Sequence, residues 1–372
     1  MRVLVDGRPL FGATGRRGVG RYVRGLLRGL AALPGGPALA VLVPRGASLE
    51  DAREAGVPGE ATPVPAGRPP GPDLLWSRLL GPRWTARAGA DLVHATFLVP
   101  PEPPEGIPLV ATVHDLIPLE HPRAFTWRQR VVFRASLRRA ARAERVIAVS
   151  RVTADRLARR LGADPGRIRV IPPPVDPSPF RDVAAPGLPA AGGRPYLFHA
   201  SGFDRLKGVD DLLLPAFAEV GREHPDLVLV LAGPPSPGRA RAERAARDLG
   251  LADRVLFPGW LAPAAHAAAV AGARAVVVPS REEGFGIPVV EGLAAGVPVA
   301  VGPAPSLREA GGDRVHVAAA PEPAAVARAI REALEAPGPG TPAAEARRRW
   351  AERFAPGRVA AEVVAAWREV TG

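Results

Sequence analysis

The sequence predicts an α/β protein of two domains, each a parallel β-sheet flanked by helices. Three observations predict it. Short apolar runs recur along the chain and alternate with segments of helical spacing, the pattern of buried parallel strands joined by helical crossovers. The 372 residues exceed what one core usually serves, roughly 100–200. One proline-rich stretch, residues 173–194, interrupts the alternation near the middle of the chain.

The elements follow in order. Residues 3–5 form a first strand, which runs into the glycine-rich loop GATGRRGVG at 12–20. The spacing then predicts a helix over 21–30, with Val23, Leu26, Leu27 and Leu30 on one face. Residues 40–43, 92–93, 110–113 and 146–149 read as further strands, and the Pro- and Gly-rich stretch 46–71 as a loop. IPPPVDPSPF and the Pro/Gly/Ala-rich residues after it suit neither a helix nor an inner strand, because proline lacks a donor and fixes φ. They are read as the interdomain linker. A second series of strands is predicted at 196–199, 227–231, 255–257, 275–278 and 297–301. The tail, 345–370, has helical spacing marked by Trp350, Phe354, Val359, Val363 and Trp367. The expected organisation is a first domain over 1–172, a linker over 173–194, a second domain over 195–345, and a C-terminal helix over 346–372 that packs back on the first domain. Two Rossmann-like domains with parallel sheets facing a central cleft would bind a ligand outside the carboxyl ends of their strands.

Composition narrows the function classes. Cysteine is absent, which excludes disulfides, thiolate metal sites and a cysteine nucleophile. Asp6 interrupts the N-terminal apolar stretch, and His266 and Arg274 interrupt the longest apolar region, 264–279. No signal peptide or membrane span is therefore expected, and the cytosol is the expected compartment. The net charge of +12 is uneven: residues 1–180 hold 27 Arg against 15 Asp plus Glu, and residues 181–372 hold 22 Arg plus Lys against 22 Asp plus Glu. The basic half points to an anionic partner. Asn is missing and Lys207 is the single lysine among 49 basic residues, so a lysine retained in so arginine-rich a chain is informative.

The most specific stretch is PSREEGFGIPVVEGLAAGVPV, residues 279–299. It follows a strand, turns on Gly284 and Gly286, and places Pro288 where a helix begins. A helix N-terminus with free N–H groups, glycines that let backbone approach a ligand, and carboxylates that accept from sugar hydroxyls together suit a sugar-nucleotide diphosphate. The spacing fits equally a plain strand–turn–helix with two surface glutamates. Glu283-GFGIPVV-Glu291 resembles the hallmark of the retaining family-4 glycosyltransferases of GT-B fold, a glutamate, seven residues and a second glutamate with GFG between them.

The resemblance implies that Glu283 contacts the donor sugar, Glu291 the ribose, and the amides near Phe285, Gly286 and Ile287 the diphosphate. HASGFDRLKGVDDLLLPAF, residues 199–217, is similar to the family's phosphate-binding loop, with Lys207 on its lysine. The family's usual arginine is replaced by Phe203 or Leu206, and Arg205 stands in for it. FPGWL at 257–261 and SLREAGGD at 306–313 also resemble family segments. In the first half, GVGRYVRGLLRGL resembles the family's glycine-rich opening, so Gly18 and Gly20 would approach donor or acceptor. The spacing is not the dinucleotide fingerprint GxGxxG. HDLIP puts His114 where the family contacts the sugar near the reacting carbon. Asp115 would position the acceptor or hold the loop, and His94 would face the cleft or be structural. Ser150 reads as a helix N-cap. Arg130, Arg134, Arg138 and Arg142 form a stripe at helical spacing, with Phe133, Leu137 and Ala140 on another face. The stripe fits either a solvated face or a contact with an anionic membrane.

The expected function is transfer of a sugar, mannose or another hexose, from a GDP- or UDP-linked donor to a glycan or lipid-linked acceptor, in surface polysaccharide or glycolipid synthesis. No cofactor and no metal are expected, Lys207 and the helix dipole serving the leaving diphosphate. No nucleic acid is expected as a partner, since basic–aromatic interleaving is absent. A Rossmann-type oxidoreductase and an inactive sugar-nucleotide-binding protein are the alternatives.

Overall fold

A computed structural model of the chain describes residues 1–372 except 16, 45, 60, 67–72, 98, 182 and 184–185; side chains of 13, 49, 66 and 73–77 are also not described. The chain forms two compact units, residues 1–175 with 354–372, and residues 176–353.

The first unit is built on seven parallel strands: β1 Arg2–Asp6, β2 Ala38–Pro44, β3 Thr62–Ala66, β4 Leu92–Ala95, β5 Leu109–Val113, β6 Arg145–Ala148 and β7 Ile168–Val170. Their order across the sheet is β3-β2-β1-β4-β5-β6-β7. The central strands are apolar on both faces, as helix-covered parallel strands must be. Val3 and Val5 of β1 enter one core with Val23, Leu26 and Leu27, whereas Leu4 between them enters the opposite core with Val93, Leu109 and Leu137. The first core is closed by two helices, Gly18–Ala31 and Pro356–Thr371. A Cβ on Gly29 would lie 2.2 Å from the Pro356 carbonyl oxygen and 3.0 Å from Ala360 Cβ, so glycine is what lets these helices touch.

The second unit has six parallel strands: β8 Tyr196–Ala200, β9 Val228–Ala232, β10 Val255–Gly259, β11 Ala275–Val278, β12 Val299–Val301 and β13 His316–Val317. Their order is β10-β9-β8-β11-β12-β13. Leu197, Leu229, Leu231 and Val277 pack beneath Leu213, Phe217, Val220 and Ile330 in one core.

Several expectations are corrected. The stretch 46–71 is not all loop: it holds a helix, Leu49–Glu54, capped by Ser48 and Asp51, and the edge strand β3. Strand β3 is TPVPA, and its alternating prolines are tolerated because an edge strand leaves one side unpaired. Residues 67–71 lie outside the described residues. The segment 173–194 contains a helical turn, Ser178–Arg181, where Pro179 sits in the first turn and needs no donor. The glycine-rich stretch 12–20 is partly helical, with a short helix Gly12–Gly15 and a second that begins at Gly18 rather than at 21. The tail is two helices, Pro342–Ala351 and Pro356–Thr371, because Pro356 cannot continue the first. Ser150 caps its helix as expected, accepting from Thr153 N at 3.1 Å.

Trp367 is fully buried among Val359, Val363 and the β1 side chains. Trp367→Ala is expected to cost about 3–5 kcal/mol of first-unit stability. Denaturant unfolding read by a first-unit probe checks this, and a loss below about 1 kcal/mol contradicts the packing described.

Candidate functional site

In an open parallel sheet, neighbouring strands whose connections turn to opposite faces leave a crevice at their carboxyl ends. In the second unit this happens between β8 and β11. The loop after β8 is shaped by Asp204, whose Oδ1 accepts from Leu206 N at 3.2 Å, and by Gly208, at φ +66°. Between them a 3-10 turn, Arg205–Lys207, presents Lys207 and the exposed Arg205. The loop after β11 is fastened to this turn by Arg281 N, which donates to Leu206 O at 2.8 Å, and by the Arg281 guanidinium, which donates to Asp211 at 2.9 Å.

Here the two sequence-predicted residues meet. Lys207 Nζ donates to Glu283 Oε1 at 2.7 Å, with side chains 20% and 15% exposed. Two serines the sequence reading left unassigned hold the glutamate: Ser280 Oγ donates to the same Oε1 at 2.9 Å, and Ser306 Oγ donates to the Glu283 carbonyl at 2.7 Å. Ser306 belongs to the SLREAGGD segment, so the signal was present without a role. His199 lies below, fully buried. Its Nδ1–H donates to Val277 O at 2.8 Å, so Nε2 accepts from Ser201 Oγ at 2.8 Å. Burial lowers the His199 pKa to about 4, which keeps the ring neutral.

Gly286, at φ +111°, caps the helix Ile287–Ala294, and a Cβ there would lie 2.6 Å from Leu307 Cδ2. Phe285 is buried and Pro288 stands in the first turn. Glu291 is 1% exposed, and its Oε2 lies 3.2 Å from His266 Nε2. The His266 ring is set edge-on to Phe198 and Phe180, at 5.7 and 6.1 Å. Glu291, expected to take the ribose, is thus covered in this structure, with His266, which the sequence marks only as a break in an apolar run, beside it.

The first unit has its own divergence between β1 and β4. Asp6 ends β1, is buried, and takes Arg8 Nε and Nη2 at 2.8 and 2.7 Å. Arg8 Nη2 also donates to Val99 O at 3.0 Å, and Val99 is a β-branched residue at φ +64°, a strained conformation. His114, just after β5, donates from Nε2 to Thr96 O at 2.8 Å and receives the Tyr22 ring edge-on at 4.8 Å. Burial lowers its pKa to about 4. Tyr22 Oη lies 2.9 Å from Thr112 Oγ1, which lies 2.9 Å from His94 Nε2.

His94, expected to face the cleft or be structural, lies inside the first unit. It is fully buried against Trp367, at 5.4 Å, and burial lowers its pKa to about 3. Gly20 packs on backbone, where a Cβ would lie 2.4 Å from Gly15 Cα, so its smallness serves the helix start. Gly18 is exposed with open space around it. Asp115 Oδ1 accepts from Ile117 N at 3.0 Å and holds the HDLIP loop. No group of three or more His, Asp or Glu among the described residues is arranged to hold a metal. No described helix is long and apolar enough to cross a membrane.

Two outcomes are expected. Gly286→Ala forces a Cβ into Leu307 from a φ that disfavours it, and should destabilise the second unit by about 1–3 kcal/mol in denaturant unfolding; a neutral change contradicts this geometry. His94 and His199 have folded pKa values below their ordinary 6.5, so between pH 6.5 and about 4 the unfolded chain binds more protons. Stability is then present above 6.5 and lost on acidification, by about 1.4 kcal/mol per pH unit for each ring. Unfolding curves at pH 7 and 5 should show this loss, and His199→Gln should reduce it; a flat profile over that window contradicts buried neutral rings.

The comparisons with known proteins agree with the architecture. Residues 16–179 match the family described as "Glycosyltransferase Family 4", and residues 181–354 match "Glycosyl transferases group 1". A 2-deoxystreptamine glucosyltransferase of Streptomyces kanamyceticus is 30% identical over 324 residues, 81% of this chain and 78% of the relative. A D-inositol 3-phosphate glycosyltransferase of Acidothermus cellulolyticus is 33% identical over 213 residues, 52% of this chain and 46% of the relative. The matched stretch thus spans about half the length of several curated relatives. Anabaena Alr3699/HepE in complex with UDP-glucose shares the fold with a TM-score of 0.74 at 18% identity, covering 100% of both chains. Sucrose-phosphate synthase from Thermosynechococcus elongatus does so with a TM-score of 0.72 at 20% identity, covering 99% of this chain and 98% of that one. With both halves matched in order, two parallel-sheet Rossmann-like units, and a relative aligned over four-fifths of its length, the chain belongs to the family-4 glycosyltransferases of GT-B fold.

Proposed function

We propose that the chain transfers a hexosyl group, with retention of anomeric configuration, from a GDP- or UDP-linked donor to a hydroxyl of a glycan or lipid-linked acceptor. The observation that supports this most is the Lys207–Glu283 pair at 2.7 Å, set where the β8 and β11 loops part. An ammonium beside a carboxylate, both partly open to solvent, offers an anion site next to a hydroxyl acceptor. A diphosphate takes Lys207, Arg205 and the amides from Phe285 to Ile287, and a sugar hydroxyl donates to Glu283. Ser280 and Ser306 keep Glu283 in place when Lys207 turns to phosphate. Glu291 takes the ribose diol, exchanging its His266 contact for ribose hydroxyls. His114, neutral at pH 7, is assigned to the sugar near the reacting carbon, with Gly18 at the glycine-rich opening and Asp115 holding the adjacent loop.

The anomeric C–O bond breaks and its electron pair leaves with the nucleoside diphosphate. The acceptor oxygen bonds to the same face of the anomeric carbon, and its proton goes to the departing phosphate oxygen. Glu283 stabilises the sugar and forms no covalent bond. Lys207 and the helix dipole supply the charge stabilisation, and losing one such donor typically lowers the rate about 10²–10³-fold. The basic first half favours an acceptor at an anionic membrane surface on the cytoplasmic side. The names of the relatives support a hexose donor and leave mannose as one arm of the donor screen.

Thermal unfolding with UDP- and GDP-sugars tests the reading. A donor at 100 times its Kd should stabilise the chain by about 2.7 kcal/mol. Lys207→Ala and Glu283→Gln should each remove that stabilisation and lower kcat/KM at least about 10²-fold. If no nucleotide sugar raises the melting temperature, or Lys207→Ala turns over normally, the reading fails.

A further inference from the structure

The helix Trp127–Ala140 has two unlike faces. Thr126 and Gln129 close a capping box at its start: Gln129 N donates to Thr126 Oγ1 at 3.4 Å, and Thr126 N donates to Gln129 Oε1 at 2.9 Å. Ser136, Leu137 and Ala140 are buried on its inner face, and Phe133 meets Phe125 edge-on at 5.2 Å. The outer face is not the polar surface such a helix usually shows. Trp127 is 63% exposed and Val131 60%, the two most exposed large apolar side chains among the described residues. They stand one turn apart on one side of the helix.

Arg130, Arg134 and Arg138 are exposed on the same side, and the Arg128 guanidinium lies 5.4 Å from the Trp127 ring centre. The helix contains no Asp or Glu. Arg139, its fifth arginine, pairs with Glu102 toward the protein, whereas Arg128, Arg130, Arg134 and Arg138 enter no ion pair among the described residues. Arg142 of the sequence stripe falls beyond the helix end.

We infer that this face, with Trp127 and Val131 at its centre and four arginines around them, docks on an anionic phospholipid bilayer. An indole and an isopropyl group one turn apart enter the headgroup layer, where an amphipathic ring is favoured and a bare apolar side chain leaves water. The arginines meet lipid phosphates, for which the planar guanidinium is well shaped. Each raises binding about fivefold near an anionic surface. Charge complementarity selects the occupant, since the chain's whole excess of +12 belongs to residues 1–180. Nucleic acid would satisfy the arginines but gives Val131 nothing to cover. The inference deepens the proposed membrane-side acceptor and does not depend on the donor site.

The test uses the full chain and vesicles of phosphatidylcholine alone or mixed with phosphatidylglycerol, read by co-sedimentation over a salt series. Binding is expected to the mixed vesicles only, weakening as salt rises. W127S/V131S should lower it roughly tenfold, and R130Q/R134Q by roughly twenty-five-fold, from about fivefold per arginine. Both variants should keep the wild-type thermal shift with donor, which shows that they fold. Equal binding to neutral vesicles, full binding by either variant, or preference for a nucleic-acid duplex over mixed vesicles overturns the proposal. A chain that binds donor yet ignores vesicles sinks this surface alone; one that binds vesicles without donor stabilisation sinks the transferase reading alone.

Discussion

A parallel strand delivers its chain to the same end of the sheet as every neighbour, and the connecting helices must then lie on one face or the other. Where two adjacent strands send their connections to opposite sides, nothing fills the gap at their carboxyl ends. Both units obey this constraint, at β1/β4 and at β8/β11; Asp6 ends β1, and the loops after β8 and β11 carry Lys207 and Glu283. Lys207 and Glu283 lie far apart in sequence and meet because β8 and β11 are neighbours in the sheet.

The second-unit site is built in layers. A neutral buried His199 ties Val277 of β11 to Ser201 in the loop after β8. Above it, Ser280 and Ser306 hold Glu283 from its side chain and its backbone. Glu283 is thus held by groups other than Lys207, and in the proposed function the lysine, on its flexible stem, exchanges its contact for phosphate. The glutamate presents a hydrogen-bond acceptor that needs little rearrangement when the charge opposite it changes, which is what electrostatic preorganisation requires. In the first unit the same economy appears in the Tyr22–Thr112–His94 chain, which is inaccessible and fixes the ring that meets His114 edge-on.

Much of the fold was legible because parallel strands buried on both faces must be nearly all apolar, and β1, β5, β9 and β11 are. The strands that escaped notice all stand at sheet edges: β3 with its prolines, the three-residue β7 and the two-residue β13. Edge strands need only one hydrogen-bonded side and little burial, so their sequences look like loops. The break at Pro356 was written in the chain, yet helical spacing continued across it and hid it.

The sequence by itself determined the two-unit α/β class, the Glu283–Glu291 spacing and the singular Lys207, because these depend on local composition and on neighbours a few residues away. Only the tertiary structure decided that Lys207 pairs with Glu283, that Ser280, Ser306 and His266 contact the two glutamates, and that His94 is buried and Gly20 packs on backbone. Each of those facts depends on which strands become neighbours and how deeply a side chain is covered. Neither is encoded in spacing along the chain. The same holds for Trp127, which has the apolar character of a core residue and stands instead at the surface beside exposed arginines.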